Sequence, residues 1–306
     1  MEGGAAMALL TKKGKNINDM IFDLCIYVIC AIVFLIIAYP LYFVVIASVS
    51  DSTLVSTGKV LLFPKGFSLF GYQEIFQDSR IWVGYKNTMI YSLLGTFVNL
   101  LLTLPAAYVL SRKEFRARRI LMFFFVFTMF FNGGLIPTYL LMKDLQLIDT
   151  MWMFIIPFSV NVFNLIITRT FFETSIPNEL FEAASIDGCN HFTFFLKVVL
   201  PLSKAVVSVI GLYYLVWHWN DFFTGLIYIR DYNLQPLQIV LRDILLSNQV
   251  FAEGAGSGGA SGGYAQRYAD QIKYGVIIIS TLPILIVYPF IQKYFEKGVM
   301  IGSVKG

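Results

Sequence analysis

Six long apolar stretches, separated by more polar segments, constrain this chain more than any other feature. They cover residues 22–49, 83–111, 120–142, 151–171, 203–229 and 274–295. A transmembrane helix needs about 20 predominantly apolar residues to cross a hydrocarbon core of about 30 Å. Of the 306 residues, 57% are hydrophobic and 14% are charged, whereas soluble domains carry roughly 25% charged residues. The sequence therefore predicts an all-α integral membrane protein with six transmembrane helices.

The basic residues predict how the chain is oriented. Lys and Arg are enriched in cytoplasmic loops, so the five basic residues between Arg112 and Arg119 place the end of the second span in the cytoplasm. With both termini inside, fourteen of the 23 Lys and Arg residues fall on cytoplasmic segments and nine on the longer external ones. We expect a cytoplasmic tail over 1–20, a membrane domain over 21–306, and an external loop over 230–273. That loop contains an amphipathic piece, Leu237–Leu246, and a glycine-rich run at 253–263.

Helix-breaking residues predict that some spans are irregular. The third span contains Asn132-Gly133-Gly134 and Pro137, so we expect a break or a reoriented outer end there. The fourth span contains Pro157, Asn161 and Asn164. The two asparagines are one helical turn apart and would share a face, where hydrogen bonding to another helix is the favoured role.

The segment between the fourth and fifth spans, Ser175–Leu202, reads as a helix, a tight turn and a second helix. Pro177 suits the first turn of a helix, and Glu179 places negative charge near the positive end of its dipole. Gly188 supplies the left-handed residue that ends a helix. The apolar stretch His191–Val199 then leads to Pro201, which interrupts it before the fifth span.

Several functional classes lack their signatures in this sequence. Cys25, Cys30 and Cys189 have no metal-site spacing, and His191 and His218 are far apart. The phosphate-loop pattern Gly-x-x-x-x-Gly-Lys-Ser/Thr is missing, so any ATP that drives the protein binds to another subunit. A secondary transporter would call for acidic residues at mid-membrane and repeated broken helices, and an enzyme for clustered catalytic groups; neither pattern is present in the spans.

Within the segment after the fourth span, a motif resembles a known family. Glu182-Ala183-Ala184, Gly188 and Leu200-Pro201 have the spacing of the "EAA" loop of membrane subunits of bacterial ATP-binding-cassette (ABC) importers, with Val198 where isoleucine is usual. The resemblance implies that residues 172–202 form a coupling loop whose helix docks on a cytoplasmic ATPase subunit. The implied docking residues are Glu182, Ala183, Ala184, Asp187, Gly188, Leu200 and Pro201.

The resemblance extends over most of the chain. The runs beginning at Asn132 (NGGLIPTY), Trp217 (WHWNDFF) and Tyr294 (YFEKGVMIG) resemble the LplC-type branch of carbohydrate permeases, which is related to the second permease subunit of the maltose importer. This resemblance implies a type I importer permease in the bacterial cell membrane, non-catalytic and without a cofactor of its own. The implied partners are a second, different permease subunit, two ATPase subunits that hold ATP and Mg²⁺, and an extracellular or periplasmic binding protein.

The implied substrate is a carbohydrate, in particular an oligosaccharide; a non-sugar polar solute, or an ion-coupled secondary transporter, are the alternatives. Sugars stack on aromatic rings and need amide or carboxylate partners for their hydroxyls. The candidate pathway residues are Asn132, Tyr139, Asn161, Trp217, Trp219 and Asn220. For the tryptophans the alternative is an interfacial aromatic belt. For Asn132 and Tyr139 it is satisfaction of backbone groups freed by the helix break.

Overall fold

The computed structural model describes residues 17–254, 269 and 272–289, and all the regular structure in these ranges is helical. The all-α prediction is therefore confirmed for the described part of the chain. The predicted N-terminal tail up to residue 16, the glycine-rich run from residue 255 onward and the C-terminal motif lie outside the described residues. The chain forms two compact units, one ending at Leu69 and the other beginning at Phe70, and each is described by itself.

The first unit is built around one long helix. Helix α1, Ile17–Ser48, continues through Pro40 and carries a nearly uninterrupted set of exposed apolar side chains, as expected of a helix that faces lipid. A short helix α2, Ser52–Ser56, follows. Its N-terminus is capped by Asp51, whose Oδ1 accepts hydrogen bonds from the backbone N–H groups of Thr53 (2.8 Å) and Leu54 (3.3 Å).

The second unit contains the remaining helices. In chain order they are α3 (Phe70–Gln77), α4 (Ser79–Ser111), α5 (Arg118–Phe130), α6 (Leu135–Asp144), a 3-10 turn (Met151–Phe154), α7 (Val162–Ser175), α8 (Asn178–Ile186), α9 (His191–Phe194), a π-helical stretch (Phe195–Val199), α10 (Leu200–Leu202), α11 (Lys204–Trp219), α12 (Phe223–Tyr228), a second 3-10 turn (Tyr232–Leu234), α13 (Leu237–Gly254) and α14 (Ile272–Pro289).

Helix α4 is the central element of this unit and packs against α7, α11 and α13. The middle of its buried face is small and polar, with Ser92, Gly95, Asn99 and Thr103, which is typical of helix contacts inside membranes. Gly95 is required there because a Cβ at this position would lie 2.3 Å from Nε2 of His218 on α11. His218 is buried, and its Nε2 lies 3.3 Å from the side-chain amide nitrogen of Asn99. Helices α4 and α11 thus approach closely.

Three buried apolar clusters hold the unit together. The largest joins the C-terminal half of α4 to α7, to the segment after α8 and to α11. A second joins α3 and the start of α4 to α13 and α14. The third joins Tyr91 of α4 to the 3-10 turn at Met151–Phe154 and to the end of α12. The clusters fix α7, α8 and α11 relative to α4, and these are the elements that carry the candidate site.

The described helices agree with part of the predicted span pattern. Within the described residues, three helices are long and apolar enough to cross a membrane, namely Met20–Ser48, Ser79–Ser111 and Ile272–Pro289. The number rises to five if two bent pairs each count as one span. The predicted break in the third span is confirmed, because α5 and α6 meet at 114° around Phe131–Gly134. The amphipathic piece predicted at Leu237 is confirmed as the start of α13.

Two predicted spans have different bounds from those expected. The stretch 151–171 is not one helix: it begins as a 3-10 turn, and α7 starts only at Val162 and continues to Ser175. Asn161 cannot lie inside that helix, since it is the capping residue before it. The stretch 203–229 is likewise interrupted, because α11 ends at Trp219 and α12 is a separate short helix.

Candidate functional site

The segment between α7 and α11 begins with a well-defined helix. Pro177 is the residue before α8, and Glu179 lies in its first turn, close to the predicted arrangement. The helix ends at Ile186, and Gly188 follows two residues later with a φ of 79°. The N–H of Gly188 donates to the carbonyl of Ser185, and that of Cys189 to the carbonyl of Ala184, both at 3.0 Å. This pair of bonds is a Schellman motif, so the predicted glycine turn is confirmed.

Aromatic contacts hold α8 to the body of the protein. The ring of Phe181 stacks on His191, with centroids 4.2 Å apart and planes at 12°. His191 Nδ1 lies 3.2 Å from the hydroxyl of Tyr108 on α4. Phe181 also meets Phe194 edge to face at 5.2 Å. These contacts link α8 to α4 through aromatic rings.

The opposite face of α8 is exposed. Glu182 and Ala183 point away from the core, whereas Ala184 packs against it. Ile186, one turn after Glu182, is 86% exposed. Ile186 therefore adds an apolar side chain to the exposed face of α8. Sequence reasoning missed Ile186, although its spacing of four from Glu182 places both on one helical face.

The remaining motif residues lie around this helix. Asp187 follows α8 as its C-terminal capping residue and is exposed. Leu200 is half-buried against the largest apolar cluster, and Pro201 is exposed within α10. The chain then turns by 84° at Ser203 into α11. The structure therefore brings the motif together at one end of the α4–α11 pair.

A cavity of about 680 Å³ opens between α7, α11 and α14. Asn161, Tyr213 and Trp217 line it and are exposed, and Tyr213 and Trp217 lie one turn apart on α11. The other lining residues are Phe158, Phe163, Asn164, Leu212, Tyr214, Val216 and Tyr288. Its volume is in the range of small-molecule sites, about 300–1,000 Å³, and a mainly apolar and aromatic wall with a few polar groups is their usual composition.

Tyr214 fixes the polar edge of this cavity. The side chain is buried, and its hydroxyl lies 2.7 Å from Thr103 Oγ1 on α4. The same hydroxyl accepts a hydrogen bond from the backbone N–H of Asn161 at 3.1 Å. The side chain of Asn161 bonds locally, because its Oδ1 caps α7 through the N–H of Asn164 at 3.1 Å. The hydrogen bond between this segment and α11 is thus made by the backbone of Asn161 and the hydroxyl of Tyr214.

The other candidate pathway residues lie away from this cavity. Trp219 is buried between α4, α13 and α14, and its Nε1 donates to the carbonyl of Ser280 at 2.9 Å. Asn220 is exposed and donates to the carbonyl of Val216. Asn132 accepts from the N–H of Gly134, which is the backbone role named as its alternative. Tyr139 stacks on Tyr228 with centroids 5.8 Å apart. Of the six candidates, Asn161 and Trp217 line the cavity.

The short turn before Thr150 is held to the end of α12 by Asp149. Its Oδ1 accepts hydrogen bonds from the N–H groups of Arg230 (2.9 Å) and Asp231 (2.8 Å), and its own N–H donates to Tyr228. The N–H groups of Asp231 and Arg230 lower the pKa of the Asp149 carboxyl. Its φ of 61° lies in the left-handed region. Asp149 therefore links the segment between α6 and α7 to the segment after α11.

Among the described residues, no group of three or more His, Cys, Asp and Glu side chains could hold a metal ion. The elements that the described residues present are a short helix, α8, with an exposed face and a cavity of aromatic and amide side chains. They suit a protein that moves a solute and is driven from outside its own chain.

Comparison with known proteins agrees with this description. The chain is 40% identical over 289 residues to the polygalacturonan/rhamnogalacturonan transport system permease protein YtcP of Bacillus subtilis, which covers 94% of this chain and 100% of the relative. It is 39% identical to protein LplC of the same organism, over 97% of both chains. A crystal structure of a bacterial ABC transporter involved in alginate import matches with a TM-score of 0.81 and 33% identity, over 92% of this chain and 99% of the other.

A protein-family model also matches residues 81–301, which include every element of the candidate site. The name of that family implies an ATPase and a solute-binding protein as partners and an inner-membrane location. The chain belongs to the family of inner membrane components of binding-protein-dependent transport systems.

Proposed function

We propose that this chain is the permease subunit of an ATP-driven importer that moves an oligosaccharide into the cytoplasm by alternating access. In this proposal it crosses the membrane six times with both termini in the cytoplasm, has the type I importer fold and pairs with a second, different permease subunit. Two ATPase subunits act from the cytoplasm. A binding protein delivers the sugar from the external side.

The cavity lined by Asn161, Tyr213 and Trp217 is the observation that carries the carbohydrate assignment. The faces of a sugar ring stack on aromatic side chains, and its hydroxyls bond to amides. The cavity offers both kinds of group and is bounded by α7, α11 and α14. Relatives named for polygalacturonan and rhamnogalacturonan transport, and a structure titled for alginate import, support an acidic oligosaccharide as the first substrate to test.

In the proposed mechanism α8 is the coupling helix. Glu182, Ala183 and Ile186 meet the ATPase, and Gly188 fixes the turn that presents them. Closure of the ATPase pair on ATP displaces α8, and the stack of Phe181, His191 and Tyr108 transmits the displacement to α4. Helix α4 packs on α7 and α11, which form two walls of the cavity. The cavity then opens alternately to each side of the membrane.

The test is uptake by the assembled complex in proteoliposomes, with the binding protein outside and ATP inside. Glu182→Lys should leave the amount of inserted protein unchanged. It should abolish sugar uptake and the stimulation of ATP hydrolysis by the loaded binding protein, because the docking face acquires a positive charge in place of a negative one. Glu114→Lys makes the same charge change at an exposed position outside α8 and should transport normally. Normal uptake by Glu182→Lys at wild-type protein level would contradict the coupling role.

The substrate class is tested in the same vesicles. A labelled oligogalacturonide should be taken up, and excess unlabelled oligogalacturonide should reduce that uptake. An amino acid of similar polarity should neither be taken up nor compete. Transport of the amino acid alone would assign the complex to a non-sugar solute. Uptake driven by an ion gradient without any ATPase subunit would show a secondary transporter, the other alternative.

A further inference from the structure

A second cavity lies at the N-terminus of α8, the proposed coupling helix, and is separate from the proposed sugar pathway. It has a volume of about 430 Å³ and lies between the end of α4, the start of α5, the end of α7 and the start of α8. The charged side chains that line it are Arg112, Lys113, Arg118, Glu173 and Glu179. The proposed function does not use this cavity, so its charges need a separate explanation.

Arg112 is the unusual member of this group. It is 4% exposed, although it directly follows a membrane-spanning helix. Its Nε and Nη1 are buried and have no hydrogen-bond partner among the described residues. The guanidinium lies over the rings of Tyr108 (4.7 Å) and Phe194 (5.7 Å). Aromatic faces partly offset the loss of hydration, but a buried cation is normally paired with an anion.

The carboxylates of the cavity do not supply that anion. Glu173 is engaged by Arg169 at 2.7 Å and by Arg118 at 3.6 Å. Glu179 is exposed on the first turn of α8, where water screens its charge. The described residues form no ion pair with Arg112. In addition, α8 begins at this cavity, and no side chain caps its N-terminus. A helix N-terminus favours negative charge, and here it adds to a buried, unpartnered arginine.

The position of the cavity indicates the source of the anion. Arg112 and Lys113 begin the run of five basic residues that immediately follows the apolar part of α4. A basic cluster directly cytoplasmic of a transmembrane helix, or a basic pocket between such helices, is suited to anionic lipid headgroups. A planar guanidinium binds a phosphate through two parallel hydrogen bonds. The cavity has both the location and the donor that such a headgroup requires.

We propose that the cavity formed by Arg112, Lys113, Arg118 and the start of α8 binds the headgroup phosphate of an anionic phospholipid of the cytoplasmic leaflet. The lipid would sit against the same tyrosine that carries the aromatic link from α8, because Tyr108 contacts both Arg112 and His191. The bound headgroup thereby stabilises the junction between α4 and the coupling helix. The proposal depends on the cytoplasmic placement of residues 112–119, but not on the identity of the transported solute.

Lipid retention by the purified full-length chain tests the proposal. The chain is placed in nanodiscs of phosphatidylcholine with or without phosphatidylglycerol, and retained lipid is counted by native mass spectrometry. We expect selective retention of phosphatidylglycerol. Arg112→Gln should weaken that retention by about tenfold or more, because it removes a charge-assisted bidentate contact. Arg112→Lys should give an intermediate loss, since it keeps the charge but not the planar fork.

Arg116→Gln is the matched control, because it removes the same charge from the same basic run at an exposed position that does not line the cavity. It should change retention by less than about twofold, as expected for a screened surface charge. Equal losses in Arg112→Gln and Arg116→Gln would overturn the site and indicate general surface attraction. If Arg112→Gln does not fold, the comparison of Arg112→Lys with Arg116→Gln decides the same question.

Two further arms identify the source of the anion. Inorganic phosphate should not displace phosphatidylglycerol; displacement, together with no preference for phosphatidylglycerol over phosphatidylcholine, would overturn the lipid assignment in favour of a soluble anion. Addition of the ATPase subunits should leave the lipid in place. Its release on ATPase addition would overturn the proposed role of the headgroup at the junction between α4 and α8 in the assembled transporter. Neither result bears on sugar uptake, so failure here is distinguishable from failure of the proposed function.

Discussion

The coupling segment and the cavity wall are both built from polar and aromatic side chains, but they are assembled in different ways. Helix α8 and its turn come from one run of residues whose partners lie within a few positions, such as Gly188 and Ser185. The cavity is assembled from α7, α11 and α14, which are far apart in the sequence. In the proposed mechanism the docking helix must keep its shape when displaced, whereas the cavity must change its walls. Local bonding suits the first task and long-range packing the second.

The two tryptophans of α11 give the largest expected effect and test where the cavity wall ends. Trp219→Ala should lower the free energy of unfolding by about 3–5 kcal/mol, because it empties a packed site and removes the bond to Ser280. Trp217→Ala should leave stability nearly unchanged but weaken sugar transport by up to about tenfold, through lost stacking. Thermal unfolding and uptake, measured on both variants, separate the two roles. If Trp219→Ala is stable but does not transport sugar, Trp219 would be the residue that lines the sugar pathway.

A glycine pair tests the coupling segment. Gly188→Asp places a side chain at a φ of 79°, where L residues are strained by about 1–2 kcal/mol. The turn should shift, and uptake should fall by at least about tenfold while insertion is unchanged. Gly58→Asp is the control, because Gly58 has a φ of 70° and equally open surroundings but lies outside the coupling segment. A similar loss of uptake in both variants would attribute the effect to general misfolding.

Helix α8 and its glycine turn could be predicted from the sequence because their signals are local. A proline, an early acid and a glycine at fixed spacings suffice to place α8 and its end. The aromatic link could not be predicted in this way, since Phe181, His191 and Tyr108 meet only after α4 has packed beside the segment. Ile186 had a usable signal, but an apolar residue on a short amphipathic helix is also what a buried face would show.

The cavity was harder to predict, for a physical reason. The length of an apolar run cannot distinguish a continuous helix from a chain that turns within the run, so the sequence predicts one span over residues 151–171. The helix in fact starts after Asn161, because the asparagine side chain caps it and the Tyr214 hydroxyl holds the preceding N–H. Which of Trp217 and Trp219 faces the cavity depends on the rotation of α11, and that rotation is set by Gly95 and His218.

Tyr214→Phe tests whether the cavity edge depends on one hydroxyl. The variant loses the bonds to Thr103 and to the N–H of Asn161, each typically worth about 1 kcal/mol. We expect a modest decrease in thermal stability and a several-fold decrease in sugar affinity, because the N-terminus of α7 is no longer fixed. Tyr213→Phe removes a hydroxyl from the neighbouring, exposed tyrosine and should leave stability unchanged. Equal stability of the two variants would contradict the positioning role of Tyr214.

Asp149→Asn has the smallest expected effect and tests the hydrogen bonds that hold the turn before α7. Asparagine tolerates the left-handed φ of 61° at this position. The substitution therefore removes only the charge that strengthens the bonds to Arg230 and Asp231. The thermal unfolding midpoint should fall by no more than about 2 °C. Because these bonds hold the folded-state pKa of Asp149 below its ordinary value of 3.8, the stabilisation is complete above that pH. It is lost as the pH falls through the lower folded-state pKa.

The difference in unfolding midpoint between wild type and Asp149→Asn should therefore stay constant from neutral pH down to about pH 4 and shrink below it. A difference that instead disappears near neutral pH would mean that another group controls this junction.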